Sequence, residues 1–291
     1  MAKTVIDPDR CKRDGICVLS CPAQVFVQME KGSLPEVAYE EHCIACGHCV
    51  SLCPHGAISH ADFPPGSVHS LRQEMIPSSE QLLEILRSRR SARVFKDQPV
   101  ERELIEKVIE GARLAPSAHN TQSIEFIVDQ DPAVLKQISQ LTADYLARII
   151  KLLRNPITRA FLRLVEGGNR VEGAMRALNG FERLVQAARK GKDRILRHAP
   201  ALILFHADQS TIFAEANANL ALQNATLIAR ALGLGSFWTG YVVSTCNRDR
   251  RIPRLLSLPE GHKVYGGLTL GYPQFPFRNW MERRPSQVKW F

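Results

Sequence analysis

Short apolar runs alternate with polar residues over the first sixty positions of the chain. The runs at 25–27, 37–39 and 57–59 predict strands, and the run at 50–52 predicts a helical turn. We therefore expect this part of the chain to form a small unit of short elements.

Beyond residue 78, apolar positions recur at the spacing of amphipathic helices. Ser78-Ser79-Glu80-Gln81 has the pattern of a capping box, and the helix it starts would have an apolar face of Leu82, Leu83, Ile85 and Leu86. Further helices are predicted at 103–114 and 214–232, and strands at 124–128, 201–206, 237–243 and 264–270. This alternation indicates an α/β or α+β domain, and we take α+β as the fold class.

A stretch rich in Pro, Gly and Ser lies between the two parts, at 62–79. Such composition is typical of a domain boundary. The expected organisation is a first domain at 1–62, a linker at 63–78 and a second domain at 79–291.

Composition narrows the class of protein. The 291 residues are 45% hydrophobic and 23% charged, which is ordinary for a globular chain and excludes a disordered or fibrous one. No apolar run approaches the roughly 20 residues that span a bilayer, and the first residues lack the apolar core of a signal peptide. A cytoplasmic location is therefore expected, and membrane association is not.

The basic charge is local. The net charge is +9, and residues 148–197, with 13 Lys/Arg and 4 Asp/Glu, account for all of it. Because the excess belongs to one segment and no recognition motif accompanies it, we expect no nucleic-acid partner.

Seven of the eight cysteines fall between residues 11 and 53, in a repeat with an offset of 32. The second copy reads Cys43-x2-Cys46-x2-Cys49-x3-Cys53-Pro54. The first copy has Cys11, Cys17, Cys21 and Pro22 at the matching positions, with Asp14 in place of a cysteine. A fixed offset indicates two equivalent structural units.

The spacing is that of iron–sulfur ligation, in which the fourth cysteine of each run binds the cluster of the other run. Cluster II would then be held by Cys21, Cys43, Cys46 and Cys49. Cluster I would be held by Cys11, Cys17 and Cys53, with Asp14 where the fourth thiolate belongs. A pair of zinc sites would instead predict two separated C-x2-C pairs.

This segment resembles a bacterial-type two-cluster ferredoxin, which implies a βαββαβ unit with two 4Fe-4S clusters. Asp14 departs from that pattern. The carboxylate could ligate the fourth iron, or could leave that iron labile and yield a 3Fe-4S cluster.

Three stretches of the second domain carry candidate chemistry. Residues 87–93 hold four arginines and two serines, which suits an anion such as phosphate. Residues 115–122 form a polar loop with Pro116, Ser117, His119 and Asn120. Residues 233–240 are glycine-rich but lack the spacing of a dinucleotide fingerprint.

Taken together with Leu270-Gly271-Tyr272-Pro273 and the terminal Arg283-Arg284-Pro285, the order and spacing of these stretches resemble the flavin-dependent nitroreductase family. The resemblance implies an α+β homodimer with each FMN bound between the chains. It also implies a role for particular residues: the phosphate and flavin edge would be bound by Arg89, Arg90, Ser91 and Arg93. The loop at Pro116 would contact the ring and ribityl chain through Ser117 and Asn120, while Thr239 and Gly240 would face N5. Arg283 or Arg284 would close over the phosphate.

Residues 131–197 are longer than the usual connection in that family and have apolar positions at helical spacing among Arg and Lys. We favour a helical lid over the flavin pocket. A docking face for an acidic electron-donor protein and a membrane-surface helix are the alternatives.

Iron–sulfur clusters transfer single electrons, and a flavin can deliver two together as hydride. The expected protein is thus an oxidoreductase that passes electrons through two clusters to FMN, which reduces a nitroaromatic, a quinone or an activated alkene. His119 is a candidate proton donor, and no other catalytic residue is assigned. The alternatives are an NAD(P)H-dependent flavin reductase with the clusters as the electron exit, and a non-catalytic redox relay or sensor.

Overall fold

A computed structural model describes residues 3–291 and divides them into two compact units. The first unit comprises the chain up to Pro77 together with Ala118–Thr121. The second comprises Ser78–Ser117 and Gln122–Phe291. A short internal segment of the second part of the chain thus belongs to the first unit.

The strands and α-helices described in the first unit are all short. They are β1 (Thr4–Ile6), α1 (Ile16–Ser20), β2 (Phe26–Val27), β3 (Glu36–Val37), α2 (His48–Leu52) and β4 (Ile58–His60). Strand β1 pairs antiparallel with β4, and β2 pairs antiparallel with β3. The strand expected at 37–39 is shorter and begins earlier, because residues 38 and 39 turn their backbone N–H groups toward the carbonyl of Val25.

The cysteine repeat is also a repeat of backbone conformation. Gly15 and Gly47 adopt left-handed φ values of 74° and 76° directly before α1 and α2. Two further pairs of residues with the same offset of 32 also have positive φ: Arg13 with Ala45, and Gln24 with Gly56. Glycine suits the positions before the helices because it has no Cβ to oppose the left-handed conformation.

The second unit is built on a four-stranded antiparallel sheet in the order β5-β6-β8-β7. Its strands are β5 (Glu125–Asp129), β6 (Ala201–Asp208), β7 (Gly235–Trp238) and β8 (His262–Gly271). Its helices are α3 (Ser79–Ser88), α4 (Arg102–Arg113), α5 (Pro132–Arg154), α6 (Pro156–Glu166), α7 (Gly168–Arg189), α8 (Ala214–Ala231), α9 (Gly240–Cys246) and α10 (Arg251–Leu255). The α+β class expected from the sequence is therefore confirmed.

Both faces of the sheet are buried, and alternate residues of β6 divide between them. Ile203 and Phe205 pack with α4 and α8, whereas Leu202 and Leu204 pack with the side that carries α5 and α9. Helices α4 and α8 approach closely at Gly111, where an added Cβ would lie 2.3 Å from Ile228 Cγ1. The close packing of these two helices therefore depends on a glycine at that position.

The capping box at the start of α3 is present. The Gln81 backbone N–H donates to Ser78 Oγ, and the Ser78 backbone N–H donates to Gln81 Oε1 at 2.9 Å. The expected helices at 103–114 and 214–232 agree with α4 and α8 to within a residue at each end.

The strand predicted at 237–243 is wrong after its first two residues. Strand β7 ends at Trp238, and α9 begins at Gly240. The Thr239 N–H still donates to the Gly267 carbonyl of β8, after which the chain turns away from the sheet. Val242 and Cys246, one helical turn apart, are both buried in the core. Packing of this apolar face outweighs the strand preference of the β-branched residues.

The long connection at 131–197 is mainly helical, as expected, and consists of α5, α6 and α7. Asp131 caps α5, and Asn155 caps α6 through its Oδ1. Gly167, with φ 88°, separates α6 from α7. Among the residues described, no helix is long and apolar enough to cross a membrane.

Candidate functional site

The cysteines of the first unit collect into two groups. Cys21, Cys43, Cys46 and Cys49 line one small cavity, with His48 and His60 beside them. Cys11, Cys17 and Cys53 line a second cavity together with Asp14 and His55. In each group a cysteine from one copy of the repeat joins residues of the other copy, as the crossover pattern requires.

Donors to sulfur are arranged in the same way around both groups. The backbone N–H groups of Arg13 and Ala45 donate to Cys11 Sγ and Cys43 Sγ, each at 3.4 Å. Those of Val25 and Ala57 donate to Cys21 Sγ and Cys53 Sγ, also at 3.4 Å. Such donors stabilise thiolate ligands, so both groups suit a metal–sulfur centre.

Burial of the cysteines favours their neutral form when no metal is bound. Desolvation raises the pKa of Cys49 to about 11 and also raises the pKa of Cys17. Metal binding must therefore displace these protons.

Asp14 lies in the wall of the second cavity with its carboxylate partly engaged. Its Oδ1 accepts the backbone N–H of Ile16, and its Oδ2 lies 3.5 Å from His55 Nε2. The aspartate is thus positioned where the fourth ligand is expected, next to a histidine that sequence spacing alone did not assign.

His60 is a functional candidate that sequence reasoning missed. Its side chain is almost fully buried, and its Nε2 lies 3.4 Å from Cys43 Sγ. The Asp62 backbone N–H donates to Nδ1 at 3.1 Å, so the ring proton resides on Nε2 and points to the sulfur. The only signal in the sequence was the position of His60 at the end of a strand that follows the cysteines.

In the second unit, a cationic cavity of about 300 Å³ is lined by Arg89, Arg90, Ser91, Arg93, Phe277 and Arg283. The segment is fixed along β7: Ser91 forms a bridge with Ser236, and the Ala92 N–H donates to the Ser236 carbonyl at 3.0 Å. The predicted phosphate-binding residues are therefore brought together with Arg283, while Arg284 is not among the lining residues. The four guanidinium groups fit a phosphate dianion.

A cavity of about 490 Å³ shares Arg93 with the cationic cavity and also includes Thr239. Phe237 and Trp238 supply apolar surface, and Arg183, Arg194 and Arg197 supply further charge. Burial lowers the pKa of Arg197, and the neighbouring Arg93 and Arg194 add to this effect. The three arginines of the 131–197 segment were not assigned from sequence, where only their clustering was visible.

The loop at 115–122 is divided between the two units. In the second unit, Ser117 Oγ accepts the Gln122 backbone N–H at 3.0 Å, and Pro116 is exposed. In the first unit, Asn120 Nδ2 donates to the Ala45 carbonyl at 2.6 Å, between Cys43 and Cys46, and His119 is exposed. Ser117 and Asn120 therefore belong to different units.

A cavity of about 880 Å³ in the second unit lies between the 131–197 segment and α9. Trp238, Gly240 and Tyr241 form one wall, and side chains of α5, α6 and α7 form the others. Phe181 of α7 packs edge-on against Tyr241, with ring centroids 6.0 Å apart. The cavity is also lined by an ion-pair group in which Glu166 contacts Arg170 and Arg248. This pocket is mainly apolar and large enough for an organic ring compound.

Each of the two parts matches a known family. Residues 86–272 match the model of the nitroreductase family, and residues 3–54 match that of the 4Fe-4S dicluster domain. A protein of Archaeoglobus fulgidus named as an NADH dehydrogenase/NAD(P)H nitroreductase is 29% identical over 195 residues, which is 67% of this chain and 87% of the relative.

An FMN reductase [NAD(P)H] of Bacillus subtilis is 26% identical over 193 residues, which is 66% of each chain. The fold is also that of a nitroreductase with bound FMN from Desulfitobacterium hafniense, with a TM-score of 0.52, 20% identity, and coverage of 74% of this chain and 100% of that one. The chain therefore belongs to the nitroreductase family of oxidoreductases, with a 4Fe-4S dicluster domain in front of the family domain.

Proposed function

We propose that the protein is an FMN-dependent oxidoreductase that passes single electrons through two iron–sulfur clusters to the flavin and reduces an organic acceptor. Clusters supply one-electron transfer, and bound FMN supplies hydride to the acceptor. The observation that carries the proposal is the cationic cavity of Arg89, Arg90, Ser91, Arg93 and Arg283, which adjoins the cavity of Thr239 through the shared Arg93.

For the flavin, the arginines would hold the phosphate, and Thr239 and Gly240 would line the side of the ring. Trp238 is 58% exposed at this point, so an aromatic surface is open to a planar ligand. Pro116, Ser117 and Asn120 remain proposed contacts from family resemblance, although Asn120 donates to the loop between Cys43 and Cys46. As in the family pattern, a homodimer with FMN between the chains is proposed.

For the clusters, the cavity of Cys21, Cys43, Cys46 and Cys49 would hold a four-thiolate 4Fe-4S cluster. The cavity of Cys11, Asp14, Cys17 and Cys53 would hold the other. We propose Asp14 as an oxygen ligand there, supported by its place in the cavity wall, with a 3Fe-4S cluster as the alternative. His55, 3.5 Å from Asp14 Oδ2, would orient the carboxylate.

For the acceptor, the pocket of about 880 Å³ beside Trp238 and Gly240 would admit a nitroaromatic, a quinone or an activated alkene. Helices α5–α7 would act as the lid that excludes water from the reacting ring. His119 is proposed as a proton donor from its place in the sequence. Its exposure in the first unit offers no support for that role.

A second function, reduction of the flavin by NAD(P)H with the clusters as the electron exit, is favoured by the names of two relatives, which specify NAD(P)H. No dinucleotide fingerprint is present in the sequence, so the nicotinamide would have to bind directly against the ring.

An anaerobic titration followed by visible absorption tests both. NADH, NADPH and reduced ferredoxin are added separately to freshly purified protein. The flavin band at about 450 nm and the broad cluster absorption are monitored. Bleaching by reduced ferredoxin alone supports the proposal, and rapid bleaching by NAD(P)H supports the second function. A spectrum without a flavin feature contradicts both. An iron count and EPR on the same sample distinguish a four-iron from a three-iron cluster I.

A matched pair of variants tests the phosphate site. Arg283→Ala removes one cation from the cavity and should weaken FMN binding about tenfold, a loss of roughly 1.4 kcal/mol. Arg284→Ala removes the neighbouring cation, which does not line the cavity, and should change the affinity little. The measurement is fluorescence quenching of FMN by the apoprotein. Equal losses in the two variants would show that the effect is one of general charge.

A further inference from the structure

Two histidines and a glutamate meet at one end of the sheet in the second unit. Glu125 on β5 lies opposite His206 on β6, and His262 opens the adjacent strand β8. The register between β6 and β8 shifts at Phe205/His206, directly beside the histidine. Three neighbouring strands thus each contribute one side chain.

The three side chains are close enough to share one ion. Their ligand atoms all lie within 4.8 Å of one another. His206 Nδ1 and His262 Nδ1 are 3.0 Å apart, and the two rings are tilted with centroids 5.1 Å apart. Two nitrogens bound to one zinc ion at about 2.0–2.1 Å in tetrahedral geometry lie roughly 3.3 Å apart, so a shift of a few tenths of an ångström completes the geometry.

The protonation state of the group also suits a metal. His206 is buried, and desolvation lowers its pKa, whereas Glu125 opposite it acts in the other direction. A neutral imidazole presents a lone pair, and the exposed Glu125 carboxylate adds a negative charge. Two neutral imidazoles that face each other through Nδ1 can share only one proton, which satisfies the pair as a hydrogen bond or is displaced by an ion.

The neighbouring polar groups leave the centre of the cluster free. Asp208 pairs with His262 across the strands, but its Oδ1 accepts the Ser210 backbone N–H at 2.8 Å and the Ser210 hydroxyl. Lys263 lies over the ring of Tyr265, with Nζ 5.5 Å from the centroid. These side chains therefore neither replace the ligands nor place a cation among them.

We propose that Glu125, His206 and His262 form a site for a divalent transition-metal ion of the zinc class. Two nitrogens and one oxygen leave a fourth position for water. An ion there would join β5, β6 and β8 at the end of the sheet and would stabilise the second unit by binding the folded state. The site is independent of the cysteine groups and of the proposed function.

The test measures zinc binding to the full-length protein with its clusters in place. Samples are dialysed anaerobically against low zinc, and bound zinc and iron are counted by mass spectrometry of the metals. The variants are His262→Gln, Glu125→Gln and, as a matched control, His198→Gln, which changes an exposed histidine of the same unit. His262 is partly exposed, so this variant is expected to fold even if a change at His206 does not.

The expected result is one zinc per chain in the wild type and in His198→Gln. The affinity should fall by a factor on the order of 100 or more in His262→Gln, since even the loss of an outer partner costs about 10- to 100-fold. Zinc should also raise the melting temperature of the wild type but not of His262→Gln. Equal zinc uptake in all variants, as cysteine binding would give, overturns the proposal. So does a wild type that takes up no zinc.

Discussion

His60 shows how a single side chain can act on a cysteine group without belonging to the motif. Its Nε2–H points to Cys43 Sγ at 3.4 Å, and its Nδ1 is held by the Asp62 backbone N–H. Asp62 is in turn paired with Lys3 at 2.9 Å, so the turn that fixes the tautomer is itself tied to the start of β1. A fixed donor to a thiolate stabilises the state that carries more negative charge.

We therefore expect His60→Phe to lower the reduction potential of the cluster proposed at Cys43. Loss of one hydrogen bond worth about 1 kcal/mol corresponds to roughly 40 mV for a one-electron couple. The measurement is a redox titration followed by EPR, which reads the cluster potential without turnover.

Two further variants separate the hydrogen bond from packing. His60→Gln keeps a donor and should recover part of the potential, and the exposed His69→Phe should leave it unchanged. A potential that is the same in His60→Phe and the wild type would show that the bond does not act on the cluster.

At the scale of residues, the sequence predicted the groupings that depend on the spacing within a motif. The crossover pattern of iron–sulfur spacing placed Cys11, Asp14, Cys17 and Cys53 in one group, and these residues line one cavity. The sequence did not predict the contacts of His60 or Arg197, because each residue reaches its site through the fold of a distant segment. A short motif contains no information on such contacts.

At the scale of elements, Asp249 ties α10 to α5 at the edge of the core. Its carboxylate accepts from Arg251 Nε at 3.0 Å and from the Arg251 backbone N–H at 3.1 Å, and it also pairs with Arg148 of α5. The side chain of Asp249 is only 7% exposed. The Arg251 hydrogen bond, with help from Arg148, holds the pKa of Asp249 well below its usual range.

We expect Asp249→Asn to lower the free energy of unfolding at pH 7 by about 2 kcal/mol, since it leaves two guanidinium groups without their shared partner. Because the folded pKa lies below the unfolded value of about 3.9, this stabilisation is fully present above that value. It is lost as the pH falls through the folded pKa. The gap between wild type and variant, measured by urea unfolding, should therefore shrink below about pH 4.

The control is Glu106→Gln, which breaks an exposed pair with Arg102, 2.7 Å apart. Exposed pairs of this kind contribute about 0.5 kcal/mol or less. If both variants lost the same small amount at every pH, the Asp249 group would be an ordinary surface ion pair.

Elements were predictable where local signals and packing agree. The capping box at Ser78 and the apolar spacing of α4 and α8 led to the correct helices. The stretch after Trp238 was misassigned because Tyr241, Val242 and Val243 favour a strand locally. The helix is favoured because Val242 and Cys246 both pack into the core. That contact exists only once the sheet has formed.

At the scale of the whole chain, several of the arginines in the 131–197 segment are engaged within the second unit. Arg154 pairs with Glu182, and Arg163 pairs with Glu172. Arg183, Arg194 and Arg197 line a cavity. The two ion pairs lie within the segment and leave its net charge unchanged, but three of the nine excess positive charges of residues 148–197 line a cavity. Those three charges support a lid in preference to a docking face for an acidic protein.

Phe181, the α7 side chain that contacts Tyr241, allows the proposed lid to be tested. Phe181→Ala removes an aromatic wall of the pocket and should raise the KM for an aromatic acceptor about tenfold, the equivalent of roughly 1.4 kcal/mol. The kcat should change less, because the residues proposed to bind the flavin are untouched. Leu164→Ala on α6 is the control, since Leu164 is 86% exposed and does not line the pocket.

Steady-state rates with a neutral aromatic acceptor at low and high salt complete the test. A lid acts through apolar contacts, so the KM effect of Phe181→Ala should persist in high salt. A docking face would instead leave the KM for the small acceptor unchanged in Phe181→Ala, and would make reduction by an acidic donor protein fall steeply with ionic strength. The second pattern would assign the 131–197 segment to partner binding and would contradict the proposal of a lid.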